Sequence, residues 1–203
     1  MQLDVIFSIL ILIFSVVVHE VSHGFAAHYL GDPTARLEGR LTLNPVHHLD
    51  PIGSFVVPLL LFFTSAGVMF GWAKPVPVNP YNLRGKYGEV IVAAAGPLSN
   101  LALALIFGLL VRFSPSFLPY SFMQLVATIV VINIVLAVFN LVPIPPLDGS
   151  KILFPFLPYS ASSVKEFLAR YSFFILLFFI IFLWQFMMPV IGFVFGLITG
   201  IGF

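Results

Sequence analysis

Residues 3–30 read LDVIFSILILIFSVVVHEVSHGFAAHYL, and the rest of the chain is best read outward from them. Between Val5 and Val18 only Ser8 and Ser15 are polar, as a membrane-spanning helix of about 20 predominantly apolar residues requires. The next five residues, His19-Glu20-Val21-Ser22-His23, then place three ionisable side chains inside the same apolar segment. Such groups cost roughly 2.5–3.5 kcal/mol or more at the centre of a membrane helix, so they mark function by default. Residues four apart share one helical face, and a helix here presents both imidazoles to a single point. Zinc accepts imidazole nitrogens at about 2.0–2.1 Å, and its catalytic sites combine three protein ligands with a water. Glu20, next to the first imidazole, can take a proton from that water, whose pKa a bound metal brings down to about 7. The competing reading is that these side chains only hydrogen-bond within a helix bundle. Three of them in five positions favour a shared cation.

Composition agrees with a bilayer environment. Of 203 residues, 60% are hydrophobic and 8% charged, against roughly 45–50% and about 25% in soluble domains. In water such a chain would expose large apolar patches. The net charge of +1 comes with no basic cluster, so nucleic acid is not an expected partner. With no cysteine, disulfides and thiolate metal sites are excluded. The N-terminus lacks the positive leader of a signal peptide and runs straight into the ionisable motif, so cleavage there is not expected.

Further along, Gly31-Asp32-Pro33 ends the first segment. Apolar segments follow at about 52–70, 89–111, 122–142 and 171–203, separated by polar stretches. The pattern predicts an all-α polytopic membrane protein, with four or five transmembrane helices in one domain over residues 1–203. Alternation at Leu41-Thr42-Leu43 suggests a short strand or hairpin near residues 38–46. It could grip an unwound substrate by edge pairing, or simply be an ordered loop. Ser162–Ala169 reads as a short surface helix. His47 and His48 precede Asp50-Pro51 in a loop, where solvation competes with a second metal or a pH-sensitive gate. His28 lies off the ligand face and reads as interfacial.

A third metal ligand is needed. Asp148 is the strongest candidate, at the end of Asn140-Leu141-Val142-Pro143-Ile144-Pro145-Pro146-Leu147-Asp148-Gly149. Irregular backbone at membrane depth is tolerated only where protein or a water-filled cavity surrounds it. An ordinary surface turn is the alternative for this stretch, and Glu166 is the rival third ligand.

Topology supplies a check. His19 and His23 sit in the C-terminal half of segment one, and Asp148 follows segment four. These ends meet if residues 52–70 dip in and return, which Gly53, Pro58 and Gly67 allow. Basic residues prefer the cytoplasmic side. In the re-entrant arrangement only Arg112 lies outside. Full crossing would also put Arg36 and Arg40 there. The re-entrant arrangement satisfies both demands and places the active site nearer the cytoplasm.

His19-Glu20-Val21-Ser22-His23, Ala95-Gly96-Pro97-Leu98-Ser99-Asn100 and Asn140…Leu147-Asp148-Gly149 together resemble the site-2 protease family of intramembrane metalloproteases. Gly31-Asp32-Pro33-Thr34-Ala35 and Gly39-Arg40-Leu41-Thr42-Leu43-Asn44-Pro45 are similar to its compact branch, which has no PDZ or CBS domain. The likeness extends over roughly residues 15–153. It implies one zinc ion held by His19, His23 and Asp148, with Glu20 as general base. It also implies that Asn140 lies near the metal and holds the substrate carbonyl or its oxyanion. The implied substrate is another protein's transmembrane helix, cut within a lipid bilayer, here that of a prokaryotic plasma membrane. A membrane scaffold or transporter that retains the fold without proteolysis is the alternative.

Overall fold

The computed structural model describes residues 2–56, 73–113 and 119–202. Helix α1 spans Gln2–Tyr29, about 42 Å at 1.5 Å per residue. Its end is closed by glycine geometry. Gly31 takes φ 105°, Asp32 N–H donates to Ala27 O and Gly31 N–H to His28 O. This paired closure satisfies carbonyls that the helix leaves orphaned, and Pro33 prevents continuation.

Past a single turn, α2 (Thr34–Leu37), residues 40–44 run extended into a 3₁₀ turn at Pro45–His48 and a wider turn at Pro51–Val56. The strand or hairpin expected near residues 38–46 is not formed, and there is no strand among the described residues. Local partners take its backbone groups instead. Arg40 N–H donates to Ala35 O, and His48 Nε2 donates to Thr42 O at 2.8 Å. Most of the element expected at 52–70 lies outside the described residues, but its flanks meet: Lys74 N–H donates to His48 O at 2.9 Å.

Helix α3 (Gly88–Phe113) and helix α4 (Tyr120–Asn140) complete the inner bundle. Contacts fix their directions. Ser15 of α1 touches Asn100 and Asn133, whereas His23, two turns further on, touches Val92. Helix α3 therefore runs antiparallel to α1. The hydrogen bond from Arg84 N–H to Leu30 O places the start of α3 beside the end of α1. Residues 31–87 thus leave and rejoin the bundle at one end. Helix α4 delivers its C-terminus to that same end, where α5 (Asp148–Leu153) begins.

Beyond a surface helix, α6 (Ser162–Arg170), the chain forms one helical path: α7 (Ser172–Phe178), wide and tight turns at Phe179–Leu183 and Trp184–Met187, and α8 (Met188–Thr199). Ser172–Thr199 is thus one span and not two. Much of its surface is apolar and exposed, as at Phe173, Phe174, Ile181 and Phe193. Its inner residues Ile191 and Phe195 pack on Ala104, Val130 and Ile134. Arg112 Nη1 donates to Leu197 O at 2.9 Å, tying the far ends of α3 and α8. Four helices among the described residues can cross a membrane: Val5–Tyr29, Gly88–Phe113, Tyr120–Asn140 and Ser172–Thr199.

Candidate metal centre

One helical turn of α1 carries His19 and His23, whose rings stand nearly perpendicular with centroids 4.7 Å apart. Their Nε2 atoms are 3.1 Å from each other, and Asp148 Oδ2 lies 3.1 Å from one and 3.2 Å from the other. All three residues are buried. Asp148 reaches this point because Leu141–Leu147 fold tightly after α4, with Ile144 N–H on Val142 O and Leu147 N–H on Ile144 O. Gly149 makes the turn possible, since a Cβ there would stand 2.2 Å from Leu141 O.

The outer ring nitrogens decide what the inner ones can do. His23 Nδ1 lies 2.7 Å from Val92 O, a carbonyl that can only accept, so Nδ1 carries the proton. His19 Nδ1 lies 2.7 Å from Asn100 Oδ1. The amide cannot be reversed, because Asn100 Nδ2 donates to Ser15 O at 3.3 Å and to Asn133 Oδ1 at 2.9 Å. In the neutral imidazoles that these outer bonds select, both Nε2 atoms are acceptors turned toward the Asp148 carboxylate oxygen. Two imidazole nitrogens and one carboxylate oxygen converging in this way form a donor set that suits a divalent cation. Ligands at 2.0–2.1 Å in tetrahedral array lie about 3.3–3.4 Å apart, close to the observed spacing. Outer acceptors that fix the imidazole tautomer are the usual support of such ligands. Helix α3 leaves room for the rings through Gly96, where a Cβ would fall 2.4 Å from His23 Nε2 and 2.6 Å from His19 Nε2.

Among the described residues, His19, His23 and Asp148 are the one group able to hold a metal. Glu166, the rival ligand, is exposed on α6 and outside this group. Glu20 lies on the neighbouring face of α1, where its Oε2 accepts from Val76 N–H at 2.9 Å. Asn140 ends α4 with Nδ2 donating to Leu136 O at 3.0 Å, and is not hydrogen-bonded to the three metal-facing groups. His48, expected in a solvated loop, is 2% exposed, whereas His47 is exposed. Arg36 Nη1 stands 3.5 Å from His28 Nε2 at the surface.

Asn133 and Asp32 carry roles that sequence reasoning missed. Asn133, fully buried, donates to Ser15 Oγ at 3.0 Å and Ile129 O at 2.9 Å, completing a chain that ends on His19. A lone amide in Val130-Val131-Ile132-Asn133-Ile134-Val135 is an intramembrane polar residue, the signal that could have found it. Asp32, also fully buried, accepts from the backbone N–H groups of Thr34 and Asn79 and from Asn82 Nδ2. It binds the end of α1 to the segment that leads into α3.

The sequence model of peptidase family M50 matches residues 117–183, which include Asp148 but not the paired histidines. A Bacillus subtilis (strain 168) protein provisionally named zinc metalloprotease YwhC is 40% identical over 158 residues, covering 74% of this chain and 68% of that protein. A Methanocaldococcus jannaschii protein, provisionally named zinc metalloprotease MJ0611, is 33% identical over 151 residues, covering 72% of each. The Mycolicibacterium smegmatis protein provisionally named zinc metalloprotease Rip2 is 34% identical over 144 residues, covering 70% of this chain and 54% of that protein. No solved structure matches the chain.

Proposed function

This chain belongs to peptidase family M50, the site-2 proteases, and we propose that it hydrolyses a peptide bond in or near a transmembrane helix of another protein. The observation that carries this reading is the convergence of two imidazole nitrogens and one carboxylate oxygen, from His19, His23 and Asp148, within a bundle of apolar helices. On this reading residues 1–203 act as one membrane-embedded metalloprotease domain and hold one zinc ion. The metal, when bound there, supplies Lewis-acid polarisation of water and of the scissile carbonyl.

Everything else falls to the chain's own groups. Val92 O and Asn100 Oδ1 keep the imidazoles turned inward. Glu20, with Oε2 occupied by Val76 N–H, keeps Oε1 to take a proton from the attacking water and return it to the leaving amine. On this reading Asn140 releases Leu136 O and donates its Nδ2 to the carbonyl oxygen as negative charge develops there. A helical substrate has its backbone groups paired, so its cut segment must unwind before Glu20 and water can act on it. The basic residues of 31–87 and 151–170 collect at the end of the bundle that holds the site, with Arg112 at the far end. That asymmetry supports a site nearer the cytoplasmic face, and on this reading the membrane is a prokaryotic plasma membrane.

Metal content and cleavage of a generic transmembrane substrate test the reading together. His23→Ala is expected to lose both. Glu20→Gln is expected to keep zinc while cleavage falls by about 10²–10⁴, the usual share of a general base. Zinc retained in full by His23→Ala, or wild-type cleavage by Glu20→Gln, would overturn it.

A further inference from the structure

Residues 73–79, Ala-Lys-Pro-Val-Pro-Val-Asn, lie extended over the face of α1 that carries Glu20 and Gly24. Two prolines stiffen this strap, because each fixes φ near −65° and neither has an N–H. Between residues 74 and 77 the strap therefore owns two amide donors, and both are used. Lys74 N–H donates to His48 O, and Val76 N–H donates to Glu20 Oε2. Gly24 allows the approach: a Cβ there would stand 2.9 Å from Val76 Cγ1 and 2.6 Å from Leu41 Cδ2. Val76 is buried as a result, and Asp32 fixes the strap's far end through Asn79 N–H at 2.7 Å.

The other side of the same peptide bond is held by Arg40. Its Nη2 donates to Pro75 O at 3.3 Å and to Lys74 O at 2.8 Å. A trans peptide directs its C=O and N–H to opposite sides. One planar unit, Pro75–Val76, thus stands between a guanidinium and the carboxylate of Glu20. Arg40 is only 6% exposed and pairs with no carboxylate among the described residues; its buried Nε has no partner there. A buried cation attached to two carbonyls and no anion is an expensive way to hold a loop. The arrangement makes sense if the charge is needed where the peptide dipole points.

We propose that Arg40 is a positioning residue for Glu20, acting through the Pro75–Val76 peptide that it clamps. The inference rests on Glu20 being the general base. The cation polarises the peptide, strengthens the Val76 N–H donor, and holds one carboxylate oxygen still so that the other faces the water. Arg40 touches neither substrate nor metal ligand in this role. Its loss should therefore slow the chemical step and leave the metal in place. A misplacement of about 1 Å can lower rate by about 10²-fold.

The test uses the full chain in lipid vesicles, with zinc content, kcat and KM measured for wild type, Arg40→Gln, Arg40→Lys and Glu20→Gln. Arg40→Gln is expected to keep stoichiometric zinc and wild-type KM while kcat falls about 10–10²-fold. Arg40→Lys, which keeps a cationic donor, should recover most of that loss. Unchanged kcat in zinc-loaded Arg40→Gln would overturn the proposal. So would loss of zinc or folding in both Arg40 variants, since that outcome makes the residue structural. If Arg40→Gln alone fails to fold, zinc-loaded Arg40→Lys decides: near-normal kcat supports the proposal and a full loss sinks it. Wild-type cleavage by Glu20→Gln would instead sink the assignment of the base, whatever Arg40 does.

Discussion

Two adjacent faces of α1 are held by polar networks of opposite character. On the inner face, Ser15 and His19 meet Asn100 and Asn133, neutral groups whose donors and acceptors are matched without water. On the outer face, Glu20 meets an extended strap fixed by the charged side chains of Arg40 and Asp32. The contrast follows from depth. Inside the bundle an unpaired charge would go uncompensated, so amides and a hydroxyl orient the ligands. At the end of the bundle charges are tolerated, and they act on backbone dipoles instead. On the mechanism proposed above, one network serves metal binding and the other serves proton transfer.

Two small-residue substitutions separate these faces, with the largest effects expected in the whole molecule. Gly96→Ala drives a methyl group to 2.4 Å from His23 Nε2 and cannot be relieved without moving a ligand. It should abolish zinc binding and, with it, all cleavage. Gly24→Ala meets Leu41 Cδ2 at 2.6 Å, Val76 Cγ1 at 2.9 Å and Ala35 Cβ at 3.4 Å, none of them part of a metal-facing residue. Zinc should remain while kcat falls about 10–10²-fold as the strap lifts from Glu20. Zinc loss in Gly24→Ala, measured on the purified protein, would break the division between faces.

A smaller effect sharpens the inner network. Asn133 is two hydrogen bonds from the outer nitrogen of His19: it holds Asn100, which holds His19 Nδ1. Supports of this kind usually change metal affinity by about 10–100-fold when removed. Asn133→Leu keeps the volume apolar and should weaken zinc binding at the lower end, about tenfold, in a chelator competition assay. Wild-type affinity would show that packing alone orients Asn100.

How much of this could be read in the residues depends on sequence distance. The histidine pair is legible because four positions along a helix bring side chains together whatever the rest of the chain does. Asp148 is legible only as an acid in an irregular apolar stretch, and it took the fold to carry it across 129 positions to His19. The Arg40 and Asp32 contacts were invisible, since they join residues about 35 and 47 apart through backbone groups that every residue owns. The expected strand at 41–43 failed for a related reason. Alternation marks a face, but a strand also needs a partner, and His48 takes the carbonyl that a partner would use. Residues 52–70, whose path the topology argument turned on, lie mostly outside the described residues. Only their flanks are described, and there Lys74 N–H meets His48 O.

The mildest prediction concerns the outer network's anchor. Burial raises the pKa of the Asp32 carboxyl, but hydrogen bonds from Thr34, Asn82 and Asn79 outweigh it and hold the group below its ordinary value of 3.8. A carboxyl lowered by folding adds stability that is complete above the unfolded value and disappears as pH falls through the folded one. Asp32→Asn turns one of two acceptor oxygens into a donor, so either the Asn79 amide on Oδ2 or the Thr34 and Asn82 donors on Oδ1 lose their partner. Its thermal midpoint should therefore lie below wild type at pH 7, with the gap closing below about pH 4 as the wild-type carboxyl protonates. Cleavage by Asp32→Asn at pH 7 should drop only a few-fold, because Arg40 and His48 still hold the strap from its other end. A gap that stays constant with pH would mean that this carboxylate is held equally well in the unfolded chain, and the outer network would lose its charged anchor.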